Sequence, residues 1–556
     1  MTRKQPKVTL RFEGLAFQVD LRPDENARTV ARAVLRRVFP ARGWTLSPLN
    51  PRTAEFEARP AKGRRRLDVG AAWSASYRLR AAPRVIYSEP LFELPNDAQF
   101  PPPKLSKTAG GGGESNDPGT EANFEWSLES MHVPEAWALF SSTTPGDGVV
   151  VAHPDTGYTA HPEIIGTRLR VADGYDFEDD KSDPSDPLAD GWLRNPGHGT
   201  STSSVIMSSR GQQGASNGPE FVSGSAPGAS LIPIRTTKSV VIWSMSRLTK
   251  AIYHAIAKKA HVVSISLGGP FGGKALHNAV REAQRQGIIV LCAAGNKVGF
   301  VVFPAAFDEV IAVAASRIDD ETWSGSCHGA EVDITAPGSS VWRAHVEKDK
   351  GVLTFDVSRS SGTSYAVASA AGVAALWLSF HGRAALIAKY GLERVPTLFK
   401  QLLQSACRTP KGWDTREFGP GIVQARRLLE AALPAHVPPP TAQSMRRRPV
   451  SDDRQPLELL VHLLAPARRS EVVRVLASFL RVDEGALPDA LQDVGDELAL
   501  QVAVDPKLRG QLKAAAGGLR ATAKSRASAG PRPRRAPKIA NRSANLRRYL
   551  TQRLGM

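Results

Sequence analysis

The stretch Val149-Val-Val-Ala-His-Pro-Asp155-Thr-Gly157 decides the fold of the central part of the chain. A short apolar run, 148–152, leads directly into an aspartate and a tight turn, which is typical of a buried parallel strand. Similar runs follow at 261–265, 288–292 and 310–314, with helical patterns at 248–259 and 275–286 between them. This alternation predicts a doubly wound, mostly parallel α/β sheet, whose ligands gather at the carboxyl ends of the strands.

Three further polar strings lie at the edges of apolar runs: Gly197-His198-Gly-Thr200, Ala293-Ala-Gly-Asn296 and Ser361-Gly-Thr-Ser364. A serine becomes an effective nucleophile when an adjacent histidine takes its proton. A carboxylate behind the histidine fixes its tautomer, and a side-chain amide can stabilise a developing oxyanion. The strings therefore contain the parts of a serine-nucleophile site.

Residues 124–432 resemble the subtilisin-like serine protease (subtilase) family, in which aspartate, histidine and serine follow in this order. Each shared string is weak alone, but all of them in order are very specific. They are Asp155-Thr-Gly, Gly197-His198-Gly-Thr, Ser266-Leu-Gly-Gly269, Ala293-Ala-Gly-Asn296, Val332-Asp-Ile-Thr-Ala-Pro-Gly338, Ser361-Gly-Thr-Ser364 and Gly419-Pro-Gly-Ile-Val-Gln-Ala425.

The resemblance implies a serine endopeptidase with a defined role for each residue. Asp155 would orient His198, which would act first as general base and then as general acid. Ser364 would be the nucleophile that forms the acyl-enzyme. Asn296 and the backbone N–H of Ser364 would bind the oxyanion.

The same resemblance implies a substrate cleft with two edges. Ser266, Leu267 and Gly268 would pair with the peptide backbone as an added strand. Ala294 and Gly295 would line the pocket for the residue before the cut. The site requires no cofactor, and the expected partner is a protein or peptide substrate.

One departure from the family pattern keeps an alternative open. The family commonly follows its serine with Met-Ala and a proline, whereas this chain has Tyr365-Ala-Val-Ala368. The alternative is a catalytically silent peptide-binding or scaffold protein, held by its N-terminal domain.

Residues 1–94 predict a small α/β domain that resembles a subtilase propeptide. Strand-like runs lie at 8–12, 16–20, 53–58, 75–79 and 85–87, and a helical pattern covers 27–39. Residues 95–123 form a linker with Pro101-Pro-Pro103 and Gly110 to Gly113. Cutting there would release a propeptide, and a permanent regulatory domain is the alternative.

The C-terminal part predicts a linker at 433–456, a helical module at 457–514 and a basic, disordered tail at 515–556. The module reads as two or three amphipathic helices over 457–505, which suggests a protein partner. A short helix at 545–554 is an option within the tail.

The net charge of +18 is concentrated at the two ends of the chain. Residues 1–107 hold 21 Lys/Arg against 10 Asp/Glu, and residues 506–556 hold 14 Lys/Arg and no acid. The middle is mildly acidic, which argues against one large nucleic-acid-binding face. Neither a signal-peptide pattern nor an apolar run of membrane-spanning length is seen, which predicts a cytoplasmic protein, with non-classical secretion as an alternative.

Three smaller features could have either a structural or a functional role. The acidic stretch 176–190 is a candidate for structural calcium, although a solvated loop is favoured. His153 and His161 flank Asp155 and are expected to be loop or rim residues. Cys292 is expected to be a small core residue and not a nucleophile.

Overall fold

The computed structural model describes residues 10–40, 43–50, 53–61, 67–93, 117–121, 123–189, 194–209, 221–437, 455–465, 467–524 and 543–546. These residues form two compact units. Unit 1 takes the described residues within 1–104, 273–275 and 448–556, and unit 2 takes those within 105–272 and 276–447. The N-terminal and C-terminal segments therefore share one unit, which the sequence did not predict.

The N-terminal part of unit 1 is an antiparallel sheet with two helices. The strand order is β2-β3-β1-β4, and β1 is one strand where two were expected. Its elements are β1 (Arg11–Val19), α1 (Ala27–Val38), β2 (Trp44–Pro48), β3 (Glu55–Pro60), α2 (Val69–Arg80) and β4 (Val85–Glu93).

The strand expected at 75–79 is wrong, because these residues lie within helix α2. Their alternation of apolar and polar residues imitates a strand. However, the side chain of Asp68 accepts a hydrogen bond from the backbone N–H of Ala71 at 2.8 Å. This N-cap, followed by alanines, starts a helix instead.

Unit 2 is built on a seven-stranded sheet with the order β11-β10-β9-β8-β5-β7-β6, in which every described strand pair is parallel. The doubly wound α/β prediction is confirmed. The strands are β5 (Val150–Asp155), β6 (Tyr175–Asp176), β7 (Ser230–Arg235), β8 (Val262–Ile265), β9 (Ile289–Ala293), β10 (Ile311–Ser316) and β11 (Ile334–Pro337).

Helices pack around this sheet. They are α3 (Trp126–Ser130), α4 (Val133–Trp137), α5 (His198–Met207), α6 (Ser246–Ala257), α7 (Lys274–Arg285), α8 (Thr363–His381), α9 (Arg383–Tyr390), α10 (Arg394–Ala406) and α11 (Ala425–Glu430), with a 3₁₀ turn at Val171–Asp173. Helix α7 begins in the 273–275 segment that clusters with unit 1.

Helix α8 is the central helix of unit 2, because every residue from Thr363 to Leu378 is buried. Its small residues allow close packing: a Cβ at Gly372 would lie 2.0 Å from Ser225 Oγ. In the described part of the chain, α8 alone is long and apolar enough to cross a membrane by length and composition. Since 89% of that window is buried inside the protein, core packing explains its composition.

An antiparallel hairpin precedes α8 and was not predicted. It consists of β12 (Val341–Asp349) and β13 (Val352–Ser360), which pair from Val341 opposite Ser360 to Asp349 opposite Val352.

The C-terminal part of unit 1 is helical, as expected, with four helices and a 3₁₀ turn at Glu484–Ala486. The helices are α12 (Gln455–Leu463), α13 (Arg469–Leu480), α14 (Leu487–Val504) and α15 (Pro506–Lys524). Helix α15 continues past residue 514, so the expectation of disorder from 515 is wrong as far as Lys524. Most of the predicted linkers, and of the tail after Lys524, lies outside the described residues.

Candidate active site

Asp155 and His198 meet at the carboxyl end of the central strand β5. His198 Nδ1 lies 2.8 Å from Asp155 Oδ1, which also accepts the backbone N–H of Thr156 at 2.7 Å. His198 is the first residue of α5, after Gly197 in the left-handed region at φ 73°. A Cβ at Gly199 would lie 2.0 Å from the carbonyl oxygen of Gly157. Glycine is therefore needed to bring α5 this close to the strand end.

Asp155 is fully buried but stays ionised. Burial alone would raise the pKa of Asp155, but the charge and hydrogen bond of His198 hold this pKa below its ordinary value. Because the carboxylate only accepts, Nδ1 of His198 carries the proton and Nε2 is left as a base.

Ser364 lies in the first turn of α8, where its backbone N–H has no acceptor within the helix. Its Oγ donates to the carbonyl oxygen of Ser266 at 3.1 Å, and Ser266 Oγ donates to the carbonyl oxygen of Ser364 at 3.2 Å. In this structure the Ser364 hydroxyl therefore donates its hydrogen bond to Ser266 and not to His198. Catalytic hydrogen bonds often form only when substrate is bound, so this bond to Ser266 is compatible with Ser364 as the nucleophile.

Asn296 follows β9 with its amide held in one orientation. Its Oδ1 accepts from the backbone N–H and from Oγ1 of Thr363, both at 2.9 Å. The amide nitrogen is thereby directed toward Gly362, where a Cβ would lie 3.4 Å from it. Sequence reasoning missed Thr363, although its place between Gly362 and Ser364 was a usable signal.

Ser266, Leu267 and Gly268, the edge expected to pair with substrate, already form backbone hydrogen bonds with another segment of the chain at Gly268. The N–H of Gly268 donates to the carbonyl oxygen of Val240, and its carbonyl accepts from the N–H of Ile242, both at 2.9 Å. Ser266 and Leu267 are buried. We call residues 240–242 the strap, since they occupy the backbone groups of Gly268 that an added peptide strand would use.

The opposite edge is formed by backbone and not by side chains. Ala294 is fully buried, and its N–H and carbonyl are bonded to Val313 and Val302 at 2.9 Å. Gly295 has a φ of 110°, which disfavours a side chain, and its N–H donates to Thr363 Oγ1 at 3.2 Å.

The expectation of loop or rim residues is wrong for His153, which lies in a strand, while His161 lies in a loop as expected; both are buried, with 2% of their surface exposed. His153 lies within β5, where its Nδ1 is 3.0 Å from the carbonyl oxygen of Ser264 and its Nε2 is 2.7 Å from Thr202 Oγ1. The same Nε2 is 3.6 Å from Asp155 Oδ2. Burial lowers the pKa of His153, so a neutral imidazole stands behind the carboxylate.

Three carboxylates of the acidic stretch, Asp176, Glu178 and Asp179, are paired with basic side chains. Arg235 is 1% exposed and bonds Asp176 at 2.5 Å and Asp179 at 2.6 Å, while Lys238 and Arg247 contact Glu178. No group of three or more His, Cys, Asp or Glu suited to a metal ion is found within the described residues. Because Asp176, Glu178 and Asp179 are already paired with arginine or lysine, these three carboxylates do not fit a calcium site.

Cys292 is a core residue of β9, as predicted, and burial raises the pKa of its thiol well above the ordinary value. Cys407 is also buried, which raises the pKa of its thiol to about 12. Neither thiol is suited to act as a nucleophile at neutral pH.

Comparisons with known proteins agree with this architecture. A family model described as the subtilase family matches residues 146–419. Thermitase of Thermoactinomyces vulgaris is 30% identical over 280 residues, which cover 50% of this chain and 90% of thermitase. An intracellular serine protease of Paenibacillus polymyxa is 32% identical over 313 residues, which cover 54% of this chain and 86% of the relative.

One solved structure resembles the chain over a longer range. Fervidolysin from Fervidobacterium pennivorans, described as a keratinolytic enzyme related to subtilisin, matches with a TM-score of 0.54 and 19% identity. The match covers 78% of this chain and 62% of that chain. At this identity, the likeness shows the fold alone.

Proposed function

Since the chain belongs to the subtilase family, we propose that Asp155, His198 and Ser364 form its catalytic triad and hydrolyse peptide bonds through an acyl-enzyme. The named serine-protease relatives make the chain a subtilisin-like hydrolase. The observation that carries the assignment of residues is the buried 2.8 Å hydrogen bond between His198 and Asp155 at the end of β5. Ser364 lies at the start of the helix that packs against this sheet.

The first half-reaction forms an ester on Ser364. Its Oγ turns from Ser266 to His198, whose Nε2 takes the proton as Oγ attacks the substrate carbonyl carbon. The imidazolium is stabilised by Asp155, which stays ionised. His198 then gives this proton to the leaving amine as the C–N bond breaks, and the new amino terminus departs.

The second half-reaction repeats these steps with water. The water oxygen attacks the ester carbon while His198 takes a proton from this water. His198 then gives the proton to Ser364 Oγ as the ester bond breaks. The carboxylic acid product leaves, and the serine is restored. Both half-reactions use only groups of this chain, the substrate and water.

The oxyanion of each tetrahedral intermediate would be bound by two donors. One is the amide nitrogen of Asn296, which Thr363 holds in place through Oδ1. The other is the backbone N–H of Ser364 in the first turn of α8, where the helix dipole also favours negative charge. Donors that are fixed before the reaction lose little energy to reorganisation.

Substrate binding requires the strap to move. A protein or peptide substrate that adds a strand at Ser266–Gly268 competes with residues 240–242 for the backbone of Gly268. We therefore propose that strap opening accompanies binding, with Gly295 on the other side of the cleft. Residues 1–94 serve as the propeptide-like domain, and the intracellular relatives favour a cytoplasmic location.

A fluorophosphonate probe tests the proposal directly, because it reacts with an activated serine. We expect stoichiometric labelling of Ser364 in the intact chain or after a cut within 95–123, located by peptide mass spectrometry. Ser364→Ala should abolish labelling and peptidase activity. Ser369→Ala is the matched control, because this serine lies in the same helix and its Oγ has no hydrogen-bond partner.

The resting bond from Ser364 to Ser266 and the closed strap favour the silent scaffold as the second candidate. The absence of labelling before and after the cut would overturn the proposal and support that candidate. Peptidase activity that survives Ser364→Ala would overturn both.

A further inference from the structure

Helix α2 of unit 1 is covered on all sides. Of its twelve residues, Arg78 alone is exposed. One side contacts its own sheet, where Ser76 Oγ donates to the carbonyl oxygen of Ser88 at 2.8 Å. A helix that is buried all round needs a second partner besides its sheet.

The second partner is the C-terminal segment. The backbone N–H of Ala544 donates to Ser74 Oγ at 3.1 Å, across 470 residues of sequence. The phenol of Tyr77 lies near Glu497 of helix α14, whose charge adds to the burial that raises the pKa of Tyr77. Two successive turns of α2 therefore contact residues from the other end of the chain.

Glu497 is the centre of this junction. It is fully buried and accepts from the backbone N–H of Ser543 at 2.7 Å and from Ser543 Oγ at 2.5 Å. Burial and the nearby charge of Glu497 raise the pKa of Tyr77 well above its ordinary value, so its hydroxyl stays protonated. The proposed chemistry has no use for this carboxylate.

The charge explains why the junction holds together. A buried carboxylate is strongly unfavourable unless hydrogen bonds compensate for lost water. Separating the N-terminal fold would take the Tyr77 hydroxyl away from Glu497 and expose the covered side of α2. Both losses favour the associated state.

We propose that helices α12 to α15, together with residues 543–546, act as a built-in receptor for the N-terminal sheet and its helices α1 and α2, and keep them bound after the intervening chain is cut. A cut between residues 94 and 117 would then not free the N-terminal fold. The fold would stay bound to the C-terminal helices, which remain covalently continuous with unit 2. Release would require a second event at the C-terminal end. This inference does not depend on the role of Ser364.

The test uses the full chain carrying Ser364→Ala, so that self-cleavage does not interfere. Recognition sites for one exogenous site-specific protease are placed at Gly110–Gly113 and at 441–445, and an affinity tag is placed at the N-terminus. Digestion gives an N-terminal, a middle and a C-terminal fragment. Capture by the tag under native conditions should recover the C-terminal fragment in a 1:1 ratio with the N-terminal one. Recovery of the N-terminal fragment without the C-terminal fragment would overturn the proposal.

A pair of tyrosine variants identifies the contact. Tyr77→Phe removes the hydroxyl near Glu497, and its loss should speed dissociation by roughly 2- to 10-fold. Tyr87→Phe is the matched control, because its hydroxyl lies 3.5 Å from Glu55 within the N-terminal fold. Equal dissociation rates for the two variants would overturn the proposed junction.

Discussion

Units 1 and 2 each bury a carboxylate completely and use it differently. In unit 2, Asp155 takes both of its hydrogen bonds on Oδ1, and Oδ2 has no hydrogen bond but lies 3.6 Å from His153. In unit 1, both oxygens of Glu497 accept from Ser543. In the proposed mechanism Asp155 stabilises a positive charge that forms on His198, whereas Glu497 accepts hydrogen bonds from Ser543, 46 residues further along the chain. From these different partners we expect Asp155 to act in catalysis and Glu497 to stabilise unit 1.

The largest effect is expected when the two buried carboxylates, Asp155 and Glu497, are replaced by amides. Asp155→Asn should lower kcat by about 10⁴-fold, because the amide favours the wrong tautomer of His198, as in related triad proteases. Glu497→Gln should leave peptide hydrolysis unchanged and weaken retention of the cut N-terminal fragment. Steady-state hydrolysis of a chromogenic peptide and capture by the N-terminal tag measure the two outcomes.

Asp489→Asn is the control for the pair, since it removes an exposed carboxylate from the same helix as Glu497. The comparison fails if Glu497→Gln reduces kcat as Asp155→Asn does, or if Asp155→Asn is fully active.

The second prediction sharpens the chemical side of the comparison at Asn296. Asn296→Asp keeps the oxygen that accepts from Thr363 and replaces the amide donor by a negative charge. We expect kcat to fall by about 10²- to 10³-fold or more with little change in KM, because the donor acts on the oxyanion and not on the ground state. Thr363→Ser keeps the hydroxyl and serves as control. A change confined to KM would contradict the oxyanion role.

The difference between the units also explains what the sequence could predict. Asp155, His198, Asn296 and Ser364 each lie at or within three residues of an end of a regular element, so short strings in the sequence could mark them as candidates. The junction in unit 1 has no such string, because Ser74 and Ala544 are far apart and neither stands out locally. Pairing of this kind depends on tertiary packing that no local pattern records.

Predictions from local sequence patterns were also wrong where the same pattern is compatible with two different structures. Residues 75–79 alternate as a strand does, but the Asp68 cap makes them helical. His153 looked like a rim residue beside a polar turn, but a parallel strand in the middle of a sheet is covered on both faces. The strap could not be predicted, since pairing with Gly268 depends on how a loop is placed.

A third prediction concerns acid stability of unit 2, through His261. Burial lowers the pKa of His261 from 6.5 to about 4, with Arg383 and Arg170 adding to the shift, and its Nδ1 accepts from the N–H of Val150 at 3.2 Å. Because the folded pKa is depressed, this stabilisation is complete above pH 6.5 and is lost as the pH falls toward 4. The loss should approach about 3 kcal/mol.

Hydrogen exchange of peptides covering β5 and β8 measures this loss, in the Ser364→Ala background. His261→Gln should flatten the pH dependence, whereas His328→Gln, at an exposed site, should not. An unchanged pH profile in His261→Gln would rule out His261 as the cause.

The fourth prediction gives unit 1 the opposite response from the same physical cause. Burial raises the pKa of Glu89 from 4.5 to about 7. Because this folded pKa is raised, the stabilisation is complete below pH 4.5 and is lost as the pH rises through 7, by up to about 3 kcal/mol. Hydrogen exchange over β1 and β4 should therefore quicken with rising pH beyond its intrinsic rate, and Glu89→Gln should remove this excess. Parallel pH responses in the two units would contradict the assignment.

The smallest effect is expected at the strap. Its hydrogen bonds to Gly268 must open for substrate to bind, whereas the contacts of α2 with the C-terminal segment in unit 1 are expected to stay closed. Ile242→Pro deletes the N–H that donates to Gly268, and Ile242→Ala keeps it while removing similar side-chain packing. A single backbone hydrogen bond contributes about 1 kcal/mol, so the proline variant should raise kcat/KM for a long peptide by roughly two- to tenfold over the alanine variant. A short ester that does not reach Gly268 should show no difference. If the proline variant is instead slower on the long peptide alone, the strap is a fixed edge of the cleft and substrate does not displace it.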